Sequence, residues 1–247
     1  MVITRPERQA AGLASLIESA GGRALRFPVI EIEPQGSTAL ESVIGRLETY
    51  DLAVFISRNA VEQGLAQVRR RRAWPQGLGA AAIGAGTRRD LEAEGFANVI
   101  APVGPADSEA LLAEPRMGAM AGKRVVIFRG SGGREVLAQA LRSRGAAVDY
   151  AECYRRTLPA TDMRPLLVEW SRGAVHAVAV SSGEGLANFA SLLGEAGRSL
   201  FAAAPLFVPH ERVAAEARAM GVAHVVVGGA SDADMLAALV AYFGRAG

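Results

Sequence analysis

Six short stretches of the chain gather residue types that can do chemistry together: Thr4-Arg5-Pro6, Ser57-Arg58-Asn59, Gly84-Ala85-Gly86-Thr87, Arg129-Gly130-Ser131-Gly132-Gly133, Ser181-Ser182-Gly183 and Pro209-His210-Glu211. Small residues that end a strand and open a helix expose backbone N–H groups, and arginine beside them suits an anion with several carboxylates. Read singly, each is equally an ordinary turn or cap residue. Sharper motifs fail. Gly84 to Arg89 imitates a dinucleotide fingerprint but carries Arg89 at its sixth position, and no acidic residue ends a following strand about 20 residues on. Gly130 to Glu135 has Glu135 there and lacks the Lys-Ser/Thr pair of a phosphate loop. His210-Glu211-Arg212-Val213-Ala214 has Ala214 where a zinc site would need a second histidine. Ser181 to Gly185 lacks the leading glycine of a nucleophile elbow, Ala179 standing there, and reads as an N-cap followed by an acid. Three histidines and one cysteine leave no metal site and no disulfide framework to expect. Cys153, beside Tyr154, reads as a bystander on a connector, and Trp74 and Trp170 as packing residues.

The elements that must position these turns follow from periodicity. Short apolar runs alternate with amphipathic stretches, the pattern of an α/β fold with parallel strands covered on both faces. Strands are expected at Val2–Thr4, Leu52–Ile56, Ala80–Ile83, Val125–Phe128, Ala177–Val180, Leu206–Val208 and Val225–Val227. Helices are expected at Glu7–Ala20, Asn59–Val68, Thr87–Glu94, Ser108–Ala113, Arg134–Arg144, Glu184–Leu193, Arg212–Met220 and Asp232–Phe243. Several end on a glycine, Gly21, Gly95, Gly145 and Gly221, which is a C-terminal cap signal. The chain also repeats itself at an offset of 124 residues, with Val2-Ile3-Thr4-Arg5 aligning with Val126-Ile127-Phe128-Arg129 and Ile56-Ser57 with Val180-Ser181. Two similar α/β domains are expected. Two extended bridges, Arg26 to Pro34 and Ala151 to Pro159, carry the chain across twice. One domain, residues 36–156, is then continuous, and the other is assembled from residues 1–34 and 158–247, with connectors near 31–36 and 153–159.

Composition excludes several classes. The 247 residues are 50% hydrophobic with a net charge of +2, so a core is assured and nucleic acid is not an expected partner. The one basic run, Arg69-Arg70-Arg71-Arg72, reads as a solvated helix end; the alternative, a polyanion patch, lacks interleaved aromatics. No apolar run approaches the ~20 residues that span a bilayer, and the opening residues lack the order of a secretory signal. A soluble, cytoplasmic protein with no membrane partner is expected.

At the turns the chain resembles the uroporphyrinogen-III synthases. The most specific likeness runs from Gly122-Lys123-Arg124 through Phe128-Arg129-Gly130-Ser131-Gly132-Gly133-Arg134-Glu135, then Arg144-Gly145-Ala146 and Glu152-Cys153-Tyr154-Arg155-Arg156. Thr4-Arg5-Pro6, Phe27 to Glu31, Phe55 to Val61, Ala82 to Thr87, Ser108 to Leu112, Ser181 to Glu184 and Glu211 to Ala214 follow the family's order across essentially the whole chain. The resemblance implies two similar flavodoxin-like parallel-sheet domains joined by a two-stranded connector, with the active-site cleft between them. It implies a cyclising hydro-lyase of haem biosynthesis that converts hydroxymethylbilane to uroporphyrinogen III, inverting ring D and losing water, with no metal or organic cofactor. It further implies an octacarboxylate held largely through backbone amides, which on this chain assigns binding to Arg5, Ser57, Arg58, Asn59, Gly84, Gly86, Thr87, Arg129, Gly130, Ser131, Gly132, Ser181, Ser182, Gly183 and His210. Tyr154 corresponds to the family's connector tyrosine and is the expected catalytic residue. His210 departs from the family, where relatives carry Ser or Thr. A monomer is expected, with room for a hand-over of substrate from the preceding pathway enzyme.

The absence of a standard catalytic set fits such a reaction. An electron-rich pyrrole expels hydroxide unaided, so the protein's task is to fold the substrate and choose the ring-D carbon attacked. A weak acid near the departing hydroxyl adds to this. Two other classes stay open: a bilobed small-ligand-binding or sensor protein without catalysis, and a nucleotide-dependent enzyme resting on Gly84 to Thr87.

Overall fold

The computed structural model describes residues 1–104, 106–133 and 135–244. In chain order the strands are β1 (Val2–Ile3), β2 (Leu25–Arg26), β3 (Glu31–Pro34), β4 (Leu52–Phe55), β5 (Gly79–Ala82), β6 (Arg124–Gly130), β7 (Ala147–Thr157), β8 (Val178–Ala179), β9 (Leu206–Val208) and β10 (Val225–Val227). The helices are α1 (Glu7–Ser19), α2 (Thr38–Gly45), α3 (Arg58–Arg69), α4 (Ala85–Ala93), α5 (Ser108–Ala113), α6 (Val136–Ser143), α7 (Arg164–Ser171), α8 (Gly183–Ala203), α9 (Glu211–Ala219) and α10 (Asp232–Phe243). Arg134, the expected start of α6, lies outside the described residues. Among the described residues no helix is long and apolar enough to cross a membrane.

The chain divides into two compact units, Met1–Glu31 with Thr157–Gly247, and Ile32–Arg156. The first holds a sheet in the order β10-β9-β8-β1-β2, every neighbouring pair parallel. Numbered by its own strands this is 2-1-3-4-5, the flavodoxin-like order. The second holds β3-β7-β6-β4-β5, with β7, β6, β4 and β5 mutually parallel and a parallel bridge from Ala81 to Ile100 beyond β5. From β7 to Ile100 the spatial order is again 2-1-3-4-5, entered at its third strand. The 124-residue repeat explains the permutation: setting β3 aside, each half of the chain supplies two strands to one unit and three strand positions to the other.

Strands buried on both faces pack aromatics and branched side chains on each. In the second sheet the rings of Phe55 and Phe128 stack at 4.7 Å, with Trp74 and Phe96 against them. Helix α3 crosses here at Gly64, where a Cβ would lie 2.6 Å from the Phe128 ring. The opposite face packs Val54 and Ile127 on Leu137 and Leu141 of α6. In the first unit Ile3 and Phe207 meet Leu13 of α1 and Met235 of α10, while Trp170 stacks on Phe189 at 6.1 Å.

Several expectations need correcting. Helices α2 and α7, of 8 residues each, fall where the sequence pattern predicts none. Helix α8 outruns its expected end because a second segment follows Gly194, whose φ of 58° and ψ of −158° break the first. The bridge holding Cys153 and Tyr154 is no free connector but part of the 11-residue β7. Both residues are consequently buried, at 0% and 2% exposure, so Cys153 is a core residue. Burial pushes its thiol up to about 12. The basic run is also more than a solvated helix end: Arg69 pairs with Glu94 at 2.5 Å, Arg71 with Glu41 at 2.6 Å, and Arg72 with Glu48 and the carbonyls of Ile44 and Gly45. The glycine caps are present as left-handed residues, with φ of 84°, 90°, 86° and 88° at Gly21, Gly95, Gly145 and Gly221.

Candidate active site

Ligands of open α/β sheets bind beyond the carboxyl ends of the strands, and there each unit carries the same device. After β4, Ser57 has extended backbone angles and its Oγ accepts from the Ala60 N–H at 3.0 Å, capping α3. After β8, Ser182 caps α8 through the Gly185 N–H, also at 3.0 Å. After β5 and β9 the N-cap positions fall to Gly84 and His210, both extended and neither bonding its helix through a side chain. Gly84 must stay small, since a Cβ would run into Ala106. Thr87 is buried one turn into α4, and His210 is exposed. Serine caps thus satisfy an amide of α3 and α8, while the first turns of α4 and α9 keep theirs uncovered by a cap side chain.

The expected arginines are placed differently. Arg58 forks onto Asp90 at 2.7 and 3.1 Å on the exposed face of α3 and α4, with Gly86 beside its side chain. Asn59 follows it, half-buried. Arg5, 13% exposed, pairs with Asp232 at the start of α10. Arg129, at the matching place of the repeat, is 2% exposed and pairs with Glu135 at 3.1 Å. The Arg129 guanidinium is engaged by its own loop, through the carbonyls of Gly130 and Gly132 as well as Glu135. Around that loop the chain brings together Gly130, Ser131, Gly132, Ser57 and Tyr154. Gly130 lies against the Tyr154 ring, where a Cβ would sit 2.7 Å from Cε2. The Ser131 N–H donates to the Tyr154 carbonyl at 2.8 Å, and its hydroxyl donates to Gln35. Tyr154 Oη and Ser57 Oγ lie 3.0 Å apart.

In the first unit, Ser181 and Gly183 are half-buried around the Ser182 cap, and a Cβ on Gly183 would collide with the Glu216 carboxylate. A carboxylate thus already stands at the positive end of α8. One residue of the second unit, Tyr150, carries no signal in the sequence pattern. Tyr150 donates to Glu135, whose carboxyl that bond and Arg129 hold below the usual range, while burial and Glu135 push the Tyr150 phenol up. Only the register of β6 with β7, Ile127 opposite Tyr150, brings them together. Beside them a cavity of about 340 Å³ is floored by Ile56, Ile83, Ile127 and Leu137 and edged by Arg129 and Tyr150. Larger hollows of about 430 and 490 Å³ flank Pro75 to Gly79 at the amino ends of β4 and β5, away from the helix N-termini that favour anions. Among the described residues no group of three or more His, Cys, Asp or Glu side chains is placed to hold a metal ion.

Comparison with known proteins matches this arrangement to one family. Residues 11–238 fit the family model of uroporphyrinogen-III synthase HemD. The uroporphyrinogen-III synthase of Escherichia coli (strain K12) is 33% identical over 239 residues, covering 96% of this chain and 97% of that protein. The Salmonella typhimurium enzyme is 34% identical over the same shares of both chains. A crystal structure of mutant uroporphyrinogen III synthase from the extremely thermophilic bacterium Thermus thermophilus has the same fold, with a TM-score of 0.63 at 20% identity over 99% of this chain and 98% of its own. That of uroporphyrinogen-III synthetase from Helicobacter pylori 26695 gives 0.61 at 14% identity over 90% and 94%. The ordered turns and the near-complete alignment have one explanation: the chain belongs to the uroporphyrinogen-III synthase family.

Proposed function

We propose that this chain is a cyclising lyase of haem and tetrapyrrole biosynthesis that converts hydroxymethylbilane to uroporphyrinogen III. It works as a cytoplasmic monomer without metal or organic cofactor. The observation that carries the proposal is the 33% identity with the Escherichia coli synthase over 96% of the chain. The turns supply what the reaction needs. Carboxylates of the substrate are taken by amides at the helix N-termini behind Ser57, Gly84, Ser182 and His210 and by the Gly130–Gly132 loop. Holding the terminal pyrrole in one orientation decides which of its carbons closes the ring.

Loss of the hydroxyl is driven by the electron-rich pyrrole and aided by a donor. Tyr154 is too enclosed, at 2% exposure, to meet the substrate broadly, but its partner Ser57 is half-buried. With the phenol donating to Ser57 Oγ, which also accepts from Ala60, the serine's own hydrogen is left for the departing hydroxyl. A bacterial strain lacking its own synthase tests the proposal. Soluble expression of this chain restores growth without added haem. Failure of well-expressed, soluble protein to do so favours a ligand-binding protein without turnover.

A further inference from the structure

We propose that Arg129 and Glu135 are positioning residues for substrate binding: a clamp of a buried guanidinium and a half-exposed carboxylate that orients the Gly133 amide and the start of α6 toward substrate carboxylates. The inference rests on the reaction proposed above and names what shapes one of its binding turns.

Arg129 heads the fully buried side chains by size. A buried charge persists only when paired and hydrogen-bonded, and every contact it makes here is with its own surroundings. Its Nε donates to the Gly130 carbonyl at 3.2 Å, Nη2 to the Gly132 carbonyl and Nη1 to Glu135 at 3.1 Å. The guanidinium lies 4.7 Å from the centre of the Tyr150 ring. Among the described residues no peptide is cis, and in a trans peptide the C=O and the following N–H point opposite ways. Carbonyls of Gly130 and Gly132 turned onto the guanidinium therefore send the N–H groups of Ser131 and Gly133 away from it. The first meets the Tyr154 carbonyl, tying the loop to β7. The second belongs to an exposed glycine.

Glu135 completes the device. It is the N-cap residue of α6, where a carboxylate ordinarily accepts from its own helix, yet it makes no such bond. Arg129 and Tyr150 draw it aside instead. The positive end of α6 is thereby left to an outside anion. The glycines are part of the fit: φ is 72° at Gly132 and 100° at Gly133, and a Cβ on Gly133 would lie 2.9 Å from Arg129 Nη2.

Steady-state kinetics on hydroxymethylbilane, with melting temperatures, decide the matter for Glu135→Gln, Gly133→Ala and Arg129→Lys. Simple electrostatics predicts that removing a negative charge beside a polyanion site lowers KM. The clamp predicts the opposite sign: Glu135→Gln and Gly133→Ala raise KM roughly tenfold with kcat little changed, because a loop amide has lost its aim. Arg129→Lys, which keeps the charge but loses the fork, raises it further. An unchanged or lower KM in folded Glu135→Gln and Gly133→Ala overturns the clamp, as does a fall confined to kcat. If Arg129→Lys does not fold, Glu135→Gln, altering a half-exposed carboxylate, still decides. The wild-type chain is run alongside: type III product with unaltered variants sinks the clamp alone, whereas no type III product from the wild type sinks the reaction and the clamp together.

Discussion

Tyr154 and Ser57, 97 positions apart in the chain and 3.0 Å apart in the fold, act in our proposal as one donor. Tyr154→Phe should then slow turnover roughly 10²-fold, by analogy with the loss of one transition-state donor. The product stays type III, because ring choice comes from how the substrate is held. Ser57→Ala should cost a similar factor, and the double variant little more than either alone, the signature of residues acting as a unit. Rates and isomer ratios of the three variants check this; additive losses would separate the two residues. Beside them, Cys153 should be silent. Its thiol is buried and pushed up to about 12 from 9.0, so the folded protein resists thiol reagents at neutral pH and reacts on unfolding. Its folded-state value is raised, so the neutral thiol's contribution to stability is fully present below about pH 9 and is lost as pH climbs toward about 12. A thiol titration in buffer and in denaturant, with melting curves across that range, tests both statements.

At the scale of elements, the helix N-termini carry most of the binding logic, and they are the most legible part of the chain. Ser57, Ser182, Gly84 and His210 stand where apolar strands end, so their types and places alone announce a cap. Ser182→Ala should lower stability by about 1 kcal/mol, the ordinary worth of a serine cap, and show in a thermal melt. What the sequence hides has a physical cause in each case. Helices α2 and α7 follow closely on the two extended bridges that end at Pro34 and Pro159, where proline reads as loop punctuation. Cys153 and Tyr154 read as connector residues because β7 mixes polar residues with buried ones, unlike the continuous apolar runs of β4 and β6. Glu135 is visible as a motif residue, but its diversion from capping α6 depends on Tyr150, which only strand register supplies.

For the whole molecule, the 124-residue repeat and the strand orders describe one inheritance: each half gives strands to both units. We propose that residues 32–156, which hold a complete sheet with its covering helices, fold alone, while residues 1–123, which take strands from both sheets, do not. Cooperative melting of the first fragment and its absence in the second is the expected pair of results. The central claim is chemical, and it is tested most directly by the isomer of the product. Freshly prepared hydroxymethylbilane, mixed with protein that has been exhaustively chelated and desalted, should give predominantly uroporphyrinogen III where buffer alone gives the type I isomer. A product that remains type I at every protein concentration would contradict the claim, and activity that returns only on adding a metal would contradict its cofactor-independent form.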